Sequence, residues 1–126
     1  MDGELWKVAL GIEDTGISFN EYQALAQRTS ANKEFHGKLM NGVLGLNGEA
    51  GEAADVVKKH MYQGHPLDQV KLIKELGDVL WYVAETCEAL GIPMETVARA
   101  NIKKLYDRYP EGFTPENSMN RVQGDV

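Results

Sequence analysis

The sequence predicts an all-α protein, built as a four-helix bundle. Apolar residues recur every three or four positions through two long segments. Stop and start signals at Ser18, Gly64-His65-Pro66, Gly91-Ile92-Pro93 and Pro110 cut the chain into helix-length pieces. No segment sustains the two-residue alternation of a strand.

Taken in order, residues 1–16 are mixed, with Gly3, Gly11 and Gly16, and read as a loose lead-in. Ser18-Phe19-Asn20-Glu21 is a capping box that opens a first helix, expected over about 19–31. The second helix is expected over about 38–62. Its apolar positions Leu39, Val43, Leu46, Ala50, Ala53 and Val57 step by 4, 3, 4, 3 and 4, the spacing of a bundle seam. Gly64 and Pro66 end it and begin a third helix over about 66–90, with a seam of Ile73, Leu76, Leu80, Val83, Cys87 and Leu90. Pro93 opens a fourth, amphipathic helix that Pro110 halts. The remainder, 111–126, is polar and reads as a mobile tail.

A chain of 126 residues fits a single domain, with its helical core at about 18–110. One cysteine, Cys87, excludes an internal disulfide framework and fits a reducing cytoplasm. No apolar run is long enough to span a bilayer, and the N-terminal residues lack the pattern of a signal peptide. A net charge of −6 argues against a partner such as a nucleic acid polymer, which demands a basic surface. Two features point instead to a dimer. Leu72, Val79, Trp81, Tyr82 and Ala84 make the third helix apolar nearly all round. Gly42, Gly45, Gly48 and Gly51 in the second helix each cost about 1 kcal/mol relative to Ala, a loss that close approach by another helix or a ligand offsets.

The chemistry-bearing pattern is two pairs of carboxylates, Glu49/Glu52 and Glu75/Asp78, each three residues apart and separated by 22 residues. On a helix each pair shares a face, and a helical hairpin brings the pairs together. Four such charges repel unless a cation sits among them, and oxygen-only donors favour Mg²⁺ or Mn²⁺. Acid pairs at this spacing are common on solvated surfaces, and Lys71 and Lys74 stand four positions before Glu75 and Asp78. Small and apolar neighbours on both helices favour the metal. Asn101, Lys104 and Arg108 form a cationic face near the end of the fourth helix. It suits either the helix macrodipole or a triphosphate. His36, His60 and His65 are scattered, and Cys87 on a seam reads as packing.

Three stretches carry a family resemblance: Gly48-Glu49-Ala50-Gly51-Glu52, then Lys74-Glu75-Leu76-Gly77-Asp78-Val79-Leu80-Trp81-Tyr82, then Asn101 to Pro110. Over about 18–113 the chain resembles the MazG-like all-α nucleoside triphosphate pyrophosphohydrolases, whose E-x-x-E, spacer, E-x-x-D motif it matches. The resemblance implies a helical core, a homodimer or dimer of dimers, and Mg²⁺ at Glu49, Glu52, Glu75 and Asp78. It implies cleavage of a nucleoside or deoxynucleoside triphosphate between the α- and β-phosphates. Lys104, with Asn101 and Arg108, then meets the phosphates, Tyr82 contacts the nucleotide, and Glu49 or Glu52 activates the water. Phe19, Tyr22, His36, Asn41, Trp81 and Tyr82 are candidate base contacts. Two alternatives stand beside this reading: a phosphoribosyl-ATP pyrophosphohydrolase, from which Gly77 before Asp78 departs, and a non-catalytic helical interaction module.

Overall fold

The structure, a computed structural model, describes residues 3–13 and 15–121. Six helices follow one another: α1 (Gly3–Leu10), α2 (Phe19–Gln27), α3 (Phe35–Tyr62), α4 (Gln69–Leu90), α5 (Met94–Arg108) and α6 (Pro115–Met119). Among the described residues there is no strand, only an isolated bridge between Pro110 and Gly112. The four expected helices are α2 to α5. The lead-in and the tail each contain a further short helix, and residues 122–126 of the tail lie outside the described residues.

Local chemistry fixes the ends. Ser18 Oγ accepts from Glu21 N at 3.0 Å while Ser18 N donates to the Glu21 carboxylate at 3.3 Å, completing the capping box of α2. The helix stops at Gln27, short of the expected Ala31, because Thr29 N and Ser30 N turn back onto the Ala26 and Gln27 carbonyls at 3.1 Å each. Pro66 does not open α4. Asp68 does, its carboxylate accepting from Lys71 N at 2.9 Å. Gly91 ends α4 at φ 67°, a left-handed conformation that a side chain would strain. Gln23 clamps the turn that follows. Its Nε2 donates to Glu88 and to the Ile92 carbonyl at 3.1 and 3.0 Å, and its Oε1 accepts from Met94 N at 2.6 Å.

The long pair α3 and α4 forms an antiparallel hairpin; α2 lies against α4, α5 against α2 and α4, and α1 against α4. A small core of Ala26, Ala84, Cys87 and Met94 is closed by Tyr22, Leu80, Trp81, Val83 and Ile92. Burial, then the charge of Glu88, pushes the Cys87 thiol up, as suits a packing residue.

The seam expected on α3 is rotated by one residue from the face that α4 covers. Val43 and Val57 are more than 40% exposed, whereas their neighbours Gly42 and Val56 are buried. The residues facing α4 are Lys38, Asn41, Gly42, Gly45 and Glu49, small or polar side chains that admit the second helix closely. A Cβ at Gly42 would overlap Thr86, whose backbone N lies 3.0 Å from that point, and one at Gly45 would overlap the Tyr82 ring. Close approach by α4 thus accounts for two of the four glycines. Gly48 and Gly51 have open space where a side chain would go.

Candidate active site

The hairpin register assembles the acids. Because α3 and α4 run antiparallel, positions advancing along α3 meet positions receding along α4. Lys38 and Asn41 meet Glu85, Gly42 meets Thr86, Gly45 meets Tyr82, and Glu49 meets Asp78 and Glu75. Carboxylate oxygens of Glu49, Glu75 and Asp78 lie within 4.8 Å of one another. Glu52, one turn further along α3, falls outside this group, although its charge still acts on Glu49.

The electrostatics are those of an under-neutralised cluster. Burial, then a hydrogen bond with Glu75, then the charges of Asp78, Glu75 and Glu52, raise the Glu49 carboxyl above its ordinary value. No lysine or arginine pairs with any of the four acids among the described residues; the ion pairs there join Lys38 to Glu85, Lys59 to Asp55 and Lys103 to Asp107. Lys71, after Lys59 and Lys58, lends its charge to Asp55. An octahedral cation bound at about 2.1 Å separates its oxygen donors by about 3 to 4 Å. Three carboxylate oxygens within 4.8 Å need only small rotations to converge on one, so the donor set fits Mg²⁺ or Mn²⁺.

Glu49 and Asp78 also line an open cleft of about 310 Å³ whose other walls are Trp81 and Tyr82. The two rings meet edge to face, with centroids 5.0 Å apart. Trp81 Nε1 donates to the Ala26 carbonyl at 3.1 Å and to Thr29 Oγ1 at 2.8 Å, which ties this wall to the end of α2. Tyr22 reaches the rim from α2, its hydroxyl 3.5 Å from the Gly77 carbonyl. Burial and then the Asp78 charge raise its pKa.

Other candidate residues lie elsewhere. Asn101, Lys104 and Arg108 do not line this cleft; their helix, α5, packs against α2 and α4. Asn41, a candidate base contact, instead donates to Glu85 at 3.0 Å. His36 is exposed and stacks edge to face on Phe35, and Phe19 is 47% exposed. One residue that the sequence reading passed over is Glu85. It is wholly buried, and it accepts from Ser30 at 2.7 Å, Asn41 at 3.0 Å, and Gln27 and Lys38 at 3.2 Å each. The sequence offers only its position on α4, two turns beyond Asp78.

Comparison with known proteins identifies the family. The model of the MazG nucleotide pyrophosphohydrolase domain matches residues 39–113, a span containing all four acids and α5. The chain belongs to the MazG nucleotide pyrophosphohydrolase domain family. It is also 38% identical over 82 residues to the Gene 37 protein of Mycobacterium phage L5, covering 62% of this chain and 72% of that protein. No solved structure matches it. Membership in the MazG family carries nucleotide pyrophosphohydrolase activity in general, and the acidic cluster supplies a place for the divalent metal on which such domains typically depend. No described helix of this MazG chain is long and apolar enough to cross a membrane.

Proposed function

We propose that the protein is a Mg²⁺- or Mn²⁺-dependent nucleoside triphosphate pyrophosphohydrolase that converts an NTP or dNTP to the monophosphate and pyrophosphate. One observation carries this reading: Glu49, Glu75 and Asp78 converge, without cationic partners, at a cleft walled by two aromatic rings. When bound, the cation neutralises charge on the phosphoryl oxygens and lowers the pKa of water. Glu49, Glu75 and Asp78 hold it, and Glu52 completes the set by rotating its side chain inward. Glu49, or Glu52 beside it, takes a proton as the water oxygen bonds to the α-phosphorus. The bond from that phosphorus to the α,β-bridging oxygen breaks, and pyrophosphate leaves with the electron pair.

Tyr82 and Trp81 offer ring faces to the nucleoside. Asn101, Lys104 and Arg108 do not line the cleft of their own protomer, so we assign them to the β,γ-phosphates in the cleft of a second one. Exposed apolar residues give a homodimer, or a dimer of dimers, its surface: Met40, Val43 and Leu44 on α3, and Ile102, Leu105 and Tyr106 on α5. The setting is the cytoplasm, and the role is house-cleaning of a nucleotide pool.

The test is incubation with Mg²⁺ and a panel of standard and modified triphosphates in ¹⁸O-labelled water. Pyrophosphate release with the label in the monophosphate is expected, since attack falls on the α-phosphorus. Label confined to pyrophosphate means attack on the β-phosphorus. Release of orthophosphate with a nucleoside diphosphate overturns the proposal.

A further inference from the structure

The two features that hold α3 against α4 do not by themselves fix how far one helix slides along the other. Apolar seams repeat every three or four residues, and the glycines of α3 repeat every three, at 42, 45, 48 and 51. If α4 slipped by one turn, about 5.4 Å, Tyr82 would pass from Gly45 to Gly48 and Thr86 from Gly42 to Gly45. Both would still find a glycine beneath them. That slip carries Glu75 and Asp78 from Glu49 to Glu52, three residues further along α3, and leaves Glu49 facing Asp78 and Trp81. The cluster would then be centred on Glu52, and the cleft that Glu49 lines with Asp78, Trp81 and Tyr82 would be rearranged.

One contact along the seam has no such degeneracy. Glu85 is fully buried, and Lys38, whose side chain is 15% exposed, lies 3.2 Å from it. Lys38 also donates to Gln27 at 2.5 Å and to Ser30 at 3.1 Å, so the pair is fastened to the end of α2 as well. A one-turn slip in either direction removes Lys38 from Glu85 and strands a buried carboxylate without its counter-charge. We propose that Glu85, paired with Lys38, is the positioning residue of this site: it sets the register of α3 on α4 that places Glu49 opposite Glu75 and Asp78. The metal-holding role of those acids rests on the function proposed above; the register does not.

The decisive variant replaces both partners with apolar residues, Lys38→Met with Glu85→Leu. Such replacement commonly preserves or raises stability, which separates register from folding. Spin labels at the exposed positions Met40 and Gln69, toward opposite ends of the hairpin, report slippage as a distance distribution; Cys87, being buried, is left in place. Mn²⁺ affinity is read in parallel from the signal of the free ion. In the folded double variant a second distance population, displaced by about one turn, is expected. A single unshifted distance overturns the proposal. Should the double variant not fold, Glu85→Gln serves, because it keeps the shape and loses the charge. There a broadened distance distribution supports the assignment, and an unchanged one overturns it. Wild-type protein that binds no Mn²⁺ would refute the metal reading while leaving the distance measurement to decide the register.

Discussion

Acid should release the α3–α4 seam through Glu85, and the magnitude follows from its surroundings. Burial raises the pKa of this carboxyl, but hydrogen bonds from Ser30, Asn41, Gln27 and Lys38 outweigh that effect and hold it at about 2, against an ordinary value of 4.5. A depression of that size corresponds to about 3 kcal/mol of folding stability. Because the folded value is the lower one, the contribution is complete above about pH 4.5 and disappears as pH falls toward 2. Protonation also leaves Lys38 charged beside a neutral acid. The assay is urea unfolding from pH 7 to pH 2, without divalent metal, for the wild type and for Glu85→Gln. The wild type should be the more stable near neutrality, and its advantage should shrink by about 3 kcal/mol between pH 5 and 2. Two profiles that stay parallel across that window would refute the account of Glu85 as an ionised, hydrogen-bonded anchor.

Glu49 should act in the opposite sense. Its folded pKa is raised, so metal-free protein gains stability as pH falls from neutrality toward 4.5, and Glu49→Gln should abolish that gain in the same titration. Glu52→Gln and Asp78→Asn should each nearly abolish pyrophosphate release while leaving the metal-free melting temperature unchanged or slightly higher, since each removes one charge from a repelling cluster. A pure variant that keeps most of its turnover would contradict the metal assignment. Gly42→Ala should destabilise by up to about 2 kcal/mol, because overpacking against the α4 backbone costs about 1 to 3 and the helix-propensity gain returns about 1. Thermal denaturation in chelator tests this, and a stabilised variant would mean that the helices do not approach so closely. Sedimentation equilibrium should find a dimer or tetramer at micromolar concentration, and a stable monomer there would remove the shared-site arrangement of α5.

What could be read from the sequence was mostly what depends on neighbours along the chain. Ser18 with Glu21, and Gly91 with Pro93, act within one turn, and the helix ends they signal lie close to their expected positions. Pro66 misled because the signal was taken from its fixed φ alone; Asp68, two residues on, has the carboxylate that caps Lys71. The acids of the triad were visible because a spacing of three fixes their common face whatever packs against it. Glu85 was not singled out because its partners come from Gln27, Ser30, Lys38 and Asn41, on other segments, and no local pattern says that an acid in an apolar helix has found them.

The rotated seam has the same origin and a wider consequence. On α3 the sets Leu39, Val43, Leu46 and Lys38, Gly42, Gly45, Glu49 both step by three and four, so periodicity cannot say which of the two adjacent faces receives α4. Hydrophobicity favours the first set, yet α4 covers the second. The physical reason lies in what each choice would leave in water. Burying the apolar set inside the hairpin would expose an acid and glycine face with nothing to oppose Glu75 and Asp78. Burying the small and polar set lets α4 come close, pairs Glu85 with Lys38 and converges the carboxylates, at the cost of leaving Met40, Val43, Leu44 and Val57 substantially exposed. A second protomer covering that stripe would remove the cost. On the dimer proposed above, the internal geometry of the carboxylate site and the surface offered to a partner chain are two results of one choice of helix face.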